Sequence, residues 1–132
     1  MTRIANPGPV DPARSPYVAR SPLAYTDVTF TENFWHAVQA VNRTISLAHG
    51  YAMLEQAGNF ANLRRAGGLQ DGPDGSEFIG FWFADSVVYK WLEALAWELG
   101  RRPDPALQEM ADEVIGLIEA AQQPNGYLNA YF

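Results

Sequence analysis

The side chains that could do chemistry are few, and most have an ordinary role that explains them. Asp112 and Glu113 are adjacent carboxylates, the residue type that in pairs can do general acid–base work. They fall on the polar side of an apolar-striped segment, which reads as a solvated face. His36 and His49 are thirteen residues apart, with no ligand partner at i+3 or i+4. Zinc sites need clustered donors, so both read as plain helix residues. Cysteine is absent. Disulfides, a thiolate nucleophile and thiolate metal ligands are therefore excluded within this chain, and no metal site is expected in it. The run Gly67 to Gly80 lacks the G-x-x-x-x-G-K-[ST] order of a phosphate loop. Asn42-Arg43-Thr44 spells a glycosylation sequon, but inside a predicted helix, and reads as a chance match.

A short set of aromatic and polar residues remains. The indoles of Trp35, Trp82, Trp91 and Trp97 could stack on the flat apolar face of a ligand. Trp91 lies on an apolar stripe and reads as core, which leaves Trp82, beside a loop, as the candidate binder. Asp85 and Ser86 stand at a predicted helix start. Capping of the orphan amides is their main expected role, and contact with a hydroxylated ligand is the alternative. Tyr127 and Asn129 follow a turn, where they could line a cleft or close the hairpin. Lys90 is expected to pair with Glu93 or Glu55.

These candidates must be positioned by helices. Phe34, Val38, Val41, Ile45 and Ala48 keep a three-to-four spacing that predicts a helix over 33–57, capped by Thr31 or Asn33, with Gly50 a candidate break and Gly58-Asn59 a stop. Residues 59–82, rich in Gly, Asp and Asn, read as a long surface loop with at most one short helical turn. Val88, Trp91, Leu92, Leu95 and Leu99 predict a second helix over 85–99, with Gly100 as a left-handed C′ residue. Asp104-Pro105 is a cap followed by proline at N1, and opens a third helix over 104–122 whose face is Leu107, Met110, Ala111, Val114, Ile115, Ile118 and Ala121. Pro124-Asn125-Gly126 ends it in a turn. The short link from Gly100 to Pro103 makes the last two helices antiparallel neighbours.

Ahead of this body, residues 1–27 read as a proline-rich extended arm, in which Val28 to Phe30 continue as a short extended piece. Residues 28–132 form the helical part. Tyr89, Ala94, Ala96 and Trp97 make the second helix apolar on nearly all sides, so it wants neighbours on both flanks. Self-association through exposed helix faces is expected of the chain alone. The aromatic end Tyr131-Phe132 suggests a piece of something longer.

Composition narrows the partners. Hydrophobic residues make up 48% and charged ones 18% of the 132 residues, which is globular rather than disordered. A net charge of −6 argues against nucleic acid, which requires a surplus of Lys and Arg. No apolar run approaches the about 20 residues of a bilayer span, and no basic amphipathic stretch suits a membrane surface. No signal sequence is visible, so a cytoplasmic location is the default expectation.

Two blocks carry a family resemblance. One is Phe83-Ala84-Asp85-Ser86-Val87-Val88-Tyr89-Lys90-Trp91-Leu92-Glu93-Ala94. The other runs from Ile118 through Gln122-Gln123-Pro124-Asn125-Gly126-Tyr127-Leu128-Asn129-Ala130-Tyr131-Phe132. In order and spacing they resemble glycoside hydrolase family 127, the β-L-arabinofuranosidases, which show DSDVYKWLEA and AQ-x-x-DGYLNTYF. Phe34-Trp35 after Val28-Thr29, and Asn62 before the Gly-rich loop, agree. Two positions depart: Val87 stands for the second Asp of DSD, and Asn125 for the Asp of DGYLN. The resemblance implies an all-α fold of antiparallel helical hairpins, the opening segment of an (α/α)6 barrel, and an arabinofuranoside substrate. It also implies a retaining mechanism in which a zinc-bound cysteine is the nucleophile and a Glu the acid/base. With no cysteine here, none of the family's catalytic residues can be placed on this sequence, and the chain alone is expected to be inactive. Two other readings are a catalytically silent helical module that serves as a scaffold or partner-binding piece, and a different (α/α)6 enzyme such as an unsaturated-uronide hydrolase or sugar epimerase.

Overall fold

A computed structural model describes residues 15–20, 23–69 and 77–131. The chain forms two compact units, one ending at Gln39 and the other running from Ala40 to Phe132. In the first, residues 15–20 form an exposed turn, and the rest of the expected arm up to residue 22 lies outside the described residues. A 3₁₀ turn, Tyr25–Asp27, follows, and Val28 after it is extended (φ −110°, ψ 119°). It joins no sheet among the described residues. Asn33 accepts a bond from the backbone N–H of His36 at 3.1 Å, the expected cap for helix α1, Phe34–Val41.

A π segment, Asn42–Ser46, and helix α2, Leu47–Gln56, come next. The expected helical extent of 33–57 is thus met, but its buried face is not the expected one. Val38, Val41 and Ile45 are exposed, as is Ala48. The buried residues of α2 are Leu47 and Leu54. Neither α1 nor the π segment has a buried residue; their apolar face is left uncovered, and the π segment, whose i→i+5 turn holds about one residue more than an α turn, shifts only the phase of α2 after it. Gly50 does not break α2. A Cβ there would lie 2.8 Å from Cδ1 of Trp91, so Gly50 lets that indole sit against the helix.

The segment expected to be a loop contains a further helix, α3, Asn59–Ala66. Phe60 and Leu63, three apart, are fully buried. Gly58, with φ 81°, ends one helix and turns the chain into the next. Residues 70–76 of the expected loop lie outside the described residues.

Helices α4, Asp85–Arg101, and α5, Pro105–Ala121, are joined by three residues, which forces the antiparallel hairpin. Asp104 accepts bonds from the N–H groups of Ala106 and Leu107, with Pro105 at N1 as expected. Gly100 is not a left-handed terminator: α4 runs on to Arg101 and ends at an extended Arg102. Val88, Trp91 and Leu95 of α4 pack with Leu107, Ala111, Val114, Leu117 and Ala121 of α5, Phe60 and Leu63 of α3, and Leu47 and Leu54 of α2. Trp91 is core, and its Nε1–H donates to the carbonyl of Leu47 at 2.9 Å. Lys90 is exposed, and Glu55 pairs instead with Arg64 at 2.8 Å.

Candidate functional site

The candidate site gathers where the chain enters α4. Phe81, Trp82 and Phe83 are three consecutive aromatics, exposed at 68%, 64% and 54%. Exposed apolar patches of this size usually have a partner. Phe81 and Phe83 stack with centroids 5.5 Å apart and planes 6° from parallel. Trp82 meets Phe83 edge-on at 5.7 Å. Gly80, at φ 91°, lets the chain turn into this segment.

Two asparagines fix the segment from behind. Asn62 is 3% exposed. Its Nδ2 donates to the carbonyl of Ile79 at 2.9 Å, and its Oδ1 accepts the N–H of Ile79 at 3.0 Å. One turn earlier, Nδ2 of Asn59 donates to the carbonyl of Ala84 at 2.8 Å. Between these anchors lie the aromatics. A Cβ on Gly58 would stand 2.7 Å from Cδ1 of Ile79, so this approach of helix to loop requires glycine.

Asp85 does not cap α4, contrary to expectation. Ala84 occupies the cap position in helical conformation (φ −62°, ψ −27°) and makes no side-chain cap bond. The orphan amides are satisfied by tight i→i+3 bonds instead: Ser86 N–H to Phe83 and Val87 N–H to Ala84, at 3.1 and 3.3 Å. The carboxylate is therefore not used by the backbone. Asp85 is nine-tenths buried, and its Oδ2 accepts from the Tyr89 hydroxyl at 3.1 Å. Burial and the charge of Asp85 push the Tyr89 hydroxyl upward in pKa, so it stays a donor. Ser86 is half-buried beside it.

Tyr127 lies in the turn after α5. Its N–H is held by Oδ1 of Asn125 at 2.9 Å, and its carbonyl accepts from Gln123 at 2.8 Å. Gly126, at φ 86°, completes the expected turn. The stretch after Tyr127 packs toward α3 and the segment before α4: Arg65 donates to the carbonyl of Ala130 at 2.7 Å, and Tyr131 meets Phe78 edge-on at 5.0 Å. The two motif departures are mild in this setting. Asn125 uses a side-chain oxygen that an Asp would also supply, and Val87 is exposed. Phe81, Phe83, Asn59, Asn62 and Tyr89 were not read as site residues from the sequence, although Asn62, Phe83 and Tyr89 fell within the family resemblance. The i, i+3 pairing of Asn59-Phe60 with Asn62-Leu63 was the available signal for the two asparagines.

A second polar cluster ties the helices together. The Tyr51 hydroxyl donates to Glu113, and Arg64 pairs with Glu55 and, at 3.8 Å, with Glu113. Asp112 accepts from Gln108 one turn before it, at 2.8 Å. Among the described residues, no group of three or more His, Cys, Asp or Glu could hold a metal ion. No described helix is long and apolar enough to cross a membrane.

The comparisons with known proteins place this helical chain in a glycosidase family. The family model described as "Beta-L-arabinofuranosidase, GH127 catalytic domain" matches residues 27–132. The chain belongs to this family. A solved GH127 β-L-arabinofuranosidase from Geobacillus stearothermophilus T6 superposes with a TM-score of 0.72 at 39% identity, over 79% of this chain and 17% of that one. A second solved GH127 β-arabinofuranosidase gives 0.71 at 31% identity, over 80% of this chain and 16% of that one. The non-reducing end β-L-arabinofuranosidase of Bifidobacterium longum subsp. longum is 48% identical over 69 residues, 52% of this chain. The chain spans about a tenth of that relative's length. The family resemblance and the all-α fold read from the sequence are borne out, and the fold agrees with an opening segment of the family's helical barrel.

Proposed function

We propose that this chain supplies the opening helices of a catalytic barrel that hydrolyses β-L-arabinofuranosides, with Trp82, Asp85, Ser86 and Tyr127 toward the sugar. The observation that carries this reading is the exposed aromatic rim, Phe81 to Phe83, directly ahead of Asp85, whose carboxylate the helix start leaves uncapped and Tyr89 holds in place, in a chain of this family. An aromatic face packs against the apolar C–H face of a sugar, and an ionised carboxylate accepts bonds from its hydroxyls.

The residues present do not fit a zinc–thiolate centre. The sequence holds no cysteine, and the described residues hold no cluster of other donors. No bond-breaking step is therefore assigned to this chain, and the complete enzyme draws its thiolate and metal from elsewhere. The purified chain is expected to show no turnover of a chromogenic β-L-arabinofuranoside above a no-enzyme control, with or without added zinc. With 5-fluorotryptophan incorporated, methyl β-L-arabinofuranoside is expected to shift the fluorine signal of Trp82 and to leave that of the buried Trp91 in place. Turnover by the chain, or a Trp82 signal indifferent to the sugar, contradicts the proposal.

A further inference from the structure

We infer that Asn59 and Asn62 are positioning residues of the sugar site, acting through the backbone of Ile79 and Ala84 to hold the aromatic rim and Asp85 in a preformed arrangement. This rests on the sugar reading above. Both asparagines are more than nine-tenths buried, where a polar group needs every bond it can make. Their amides spend those bonds on one short stretch: two on Ile79, at 2.9 and 3.0 Å, and one on Ala84, at 2.8 Å. Asn62 thus pairs with Ile79 as a neighbouring strand would, in a stretch that has no sheet. Ala84 is the residue immediately before Asp85, so the Asn59 bond sets where the carboxylate begins. Between the anchors, Phe81, Trp82 and Phe83 are exposed and touch one another. Their placement comes from the clamp rather than from core burial. Holding such a platform before the ligand arrives removes the ordering cost from binding.

The test compares the parent chain with Asn62→Ala, which loses both bonds to Ile79, and with Asn59→Asp and Asn62→Asp. The Asp variants leave no cavity and put a carboxylate oxygen, charged when ionised, where the amide donor faced the carbonyl, so they break the donor bonds without the packing loss should the alanine variant fail to fold. Three readouts are taken: amide exchange at Ile79, the fluorine signal of Trp82, and its response to methyl β-L-arabinofuranoside. In Asn62→Ala, Ile79 exchange is expected to quicken about tenfold, while core amides of α5 such as Val114 keep their protection. In all three variants, the Trp82 signal is expected to move and its sugar response to weaken. A merely structural role would slow or quicken the core together with the rim. Unchanged Ile79 exchange and an unchanged Trp82 signal overturn the inference even if the sugar response is intact. A parent chain with no sugar response overturns the sugar reading itself, and the exchange data then report the clamp alone.

Discussion

Arg43 shows how much one side chain can organise. Its guanidinium meets Glu98 and Asp104, each at 2.9 Å, and the carbonyls of Arg102 and Pro103 at 3.0 and 3.3 Å. A planar fork with several fixed donors suits this task, and a lysine would not serve. Glu98 would otherwise be a carboxylate buried on α4. Removing one partner of a buried pair leaves an uncompensated charge, whereas replacing both by apolar residues is often neutral. Arg43→Met is therefore expected to lower stability by about 2–4 kcal/mol, less than for a fully buried pair because both side chains keep some solvent contact. The Arg43→Met, Glu98→Leu double variant is expected to recover most of it. Urea melts of the three proteins check this. A loss below about 0.5 kcal/mol would class the pair with solvated surface bridges.

At the scale of the element, the helices are tied by polar side chains as well as by core. Tyr51 on α2 donates to Glu113 on α5, and Arg64 on α3 joins Glu55 to the same cluster. Burial first, then the bond to Glu113, pushes the Tyr51 hydroxyl up to about 12 from its ordinary 10.0. A group raised in the folded state favours its protonated form there. The stability it contributes is complete below about pH 10 and is lost as pH rises toward about 12. Thermal melts from pH 8 to 12 are expected to fall more steeply in this window for the parent chain than for Tyr51→Phe. Tyr89, also raised, contributes alike to both proteins. Parallel curves would show that Tyr51 keeps no such preference.

For the whole molecule, the question is what remains uncovered. Val41, Ile45, Phe81, Trp82, Phe83 and Ile115 are all between 47% and 68% exposed. Each large apolar side chain left in water forgoes about 1.5–3 kcal/mol, against a net stability of about 5–15 kcal/mol for a typical domain. The chain alone is expected to melt at low temperature and to self-associate. Sedimentation velocity across a range of concentrations is expected to show a rising weight-average coefficient. A monodisperse monomer with a sharp, concentration-independent melt above about 60 °C would mean that these helices close a sufficient core by themselves.

What the sequence determined by itself was local or periodic. Asp104-Pro105 fixed a helix start because the cap and the missing N–H act within one turn. The Val88, Trp91, Leu95 stripe fixed the buried face of α4 because it keeps one uninterrupted helical period. The two aromatic-rich blocks fixed the family. Tertiary structure alone decided the rest. The stripe of α1 found no cover among the described residues, and burial began only after the π segment at Asn42–Ser46, with Leu47 and Leu54 of α2. Residues 59–66 looked like loop because Asn and Gly weaken a helix locally. Burial of Phe60 and Leu63 and the bonds of Asn59 and Asn62 to a segment about twenty residues away outweighed that preference. Asp85 looked like a cap because its type and position suit one. The helical turn at Ala84 satisfied the amides first, and left the carboxylate to Tyr89.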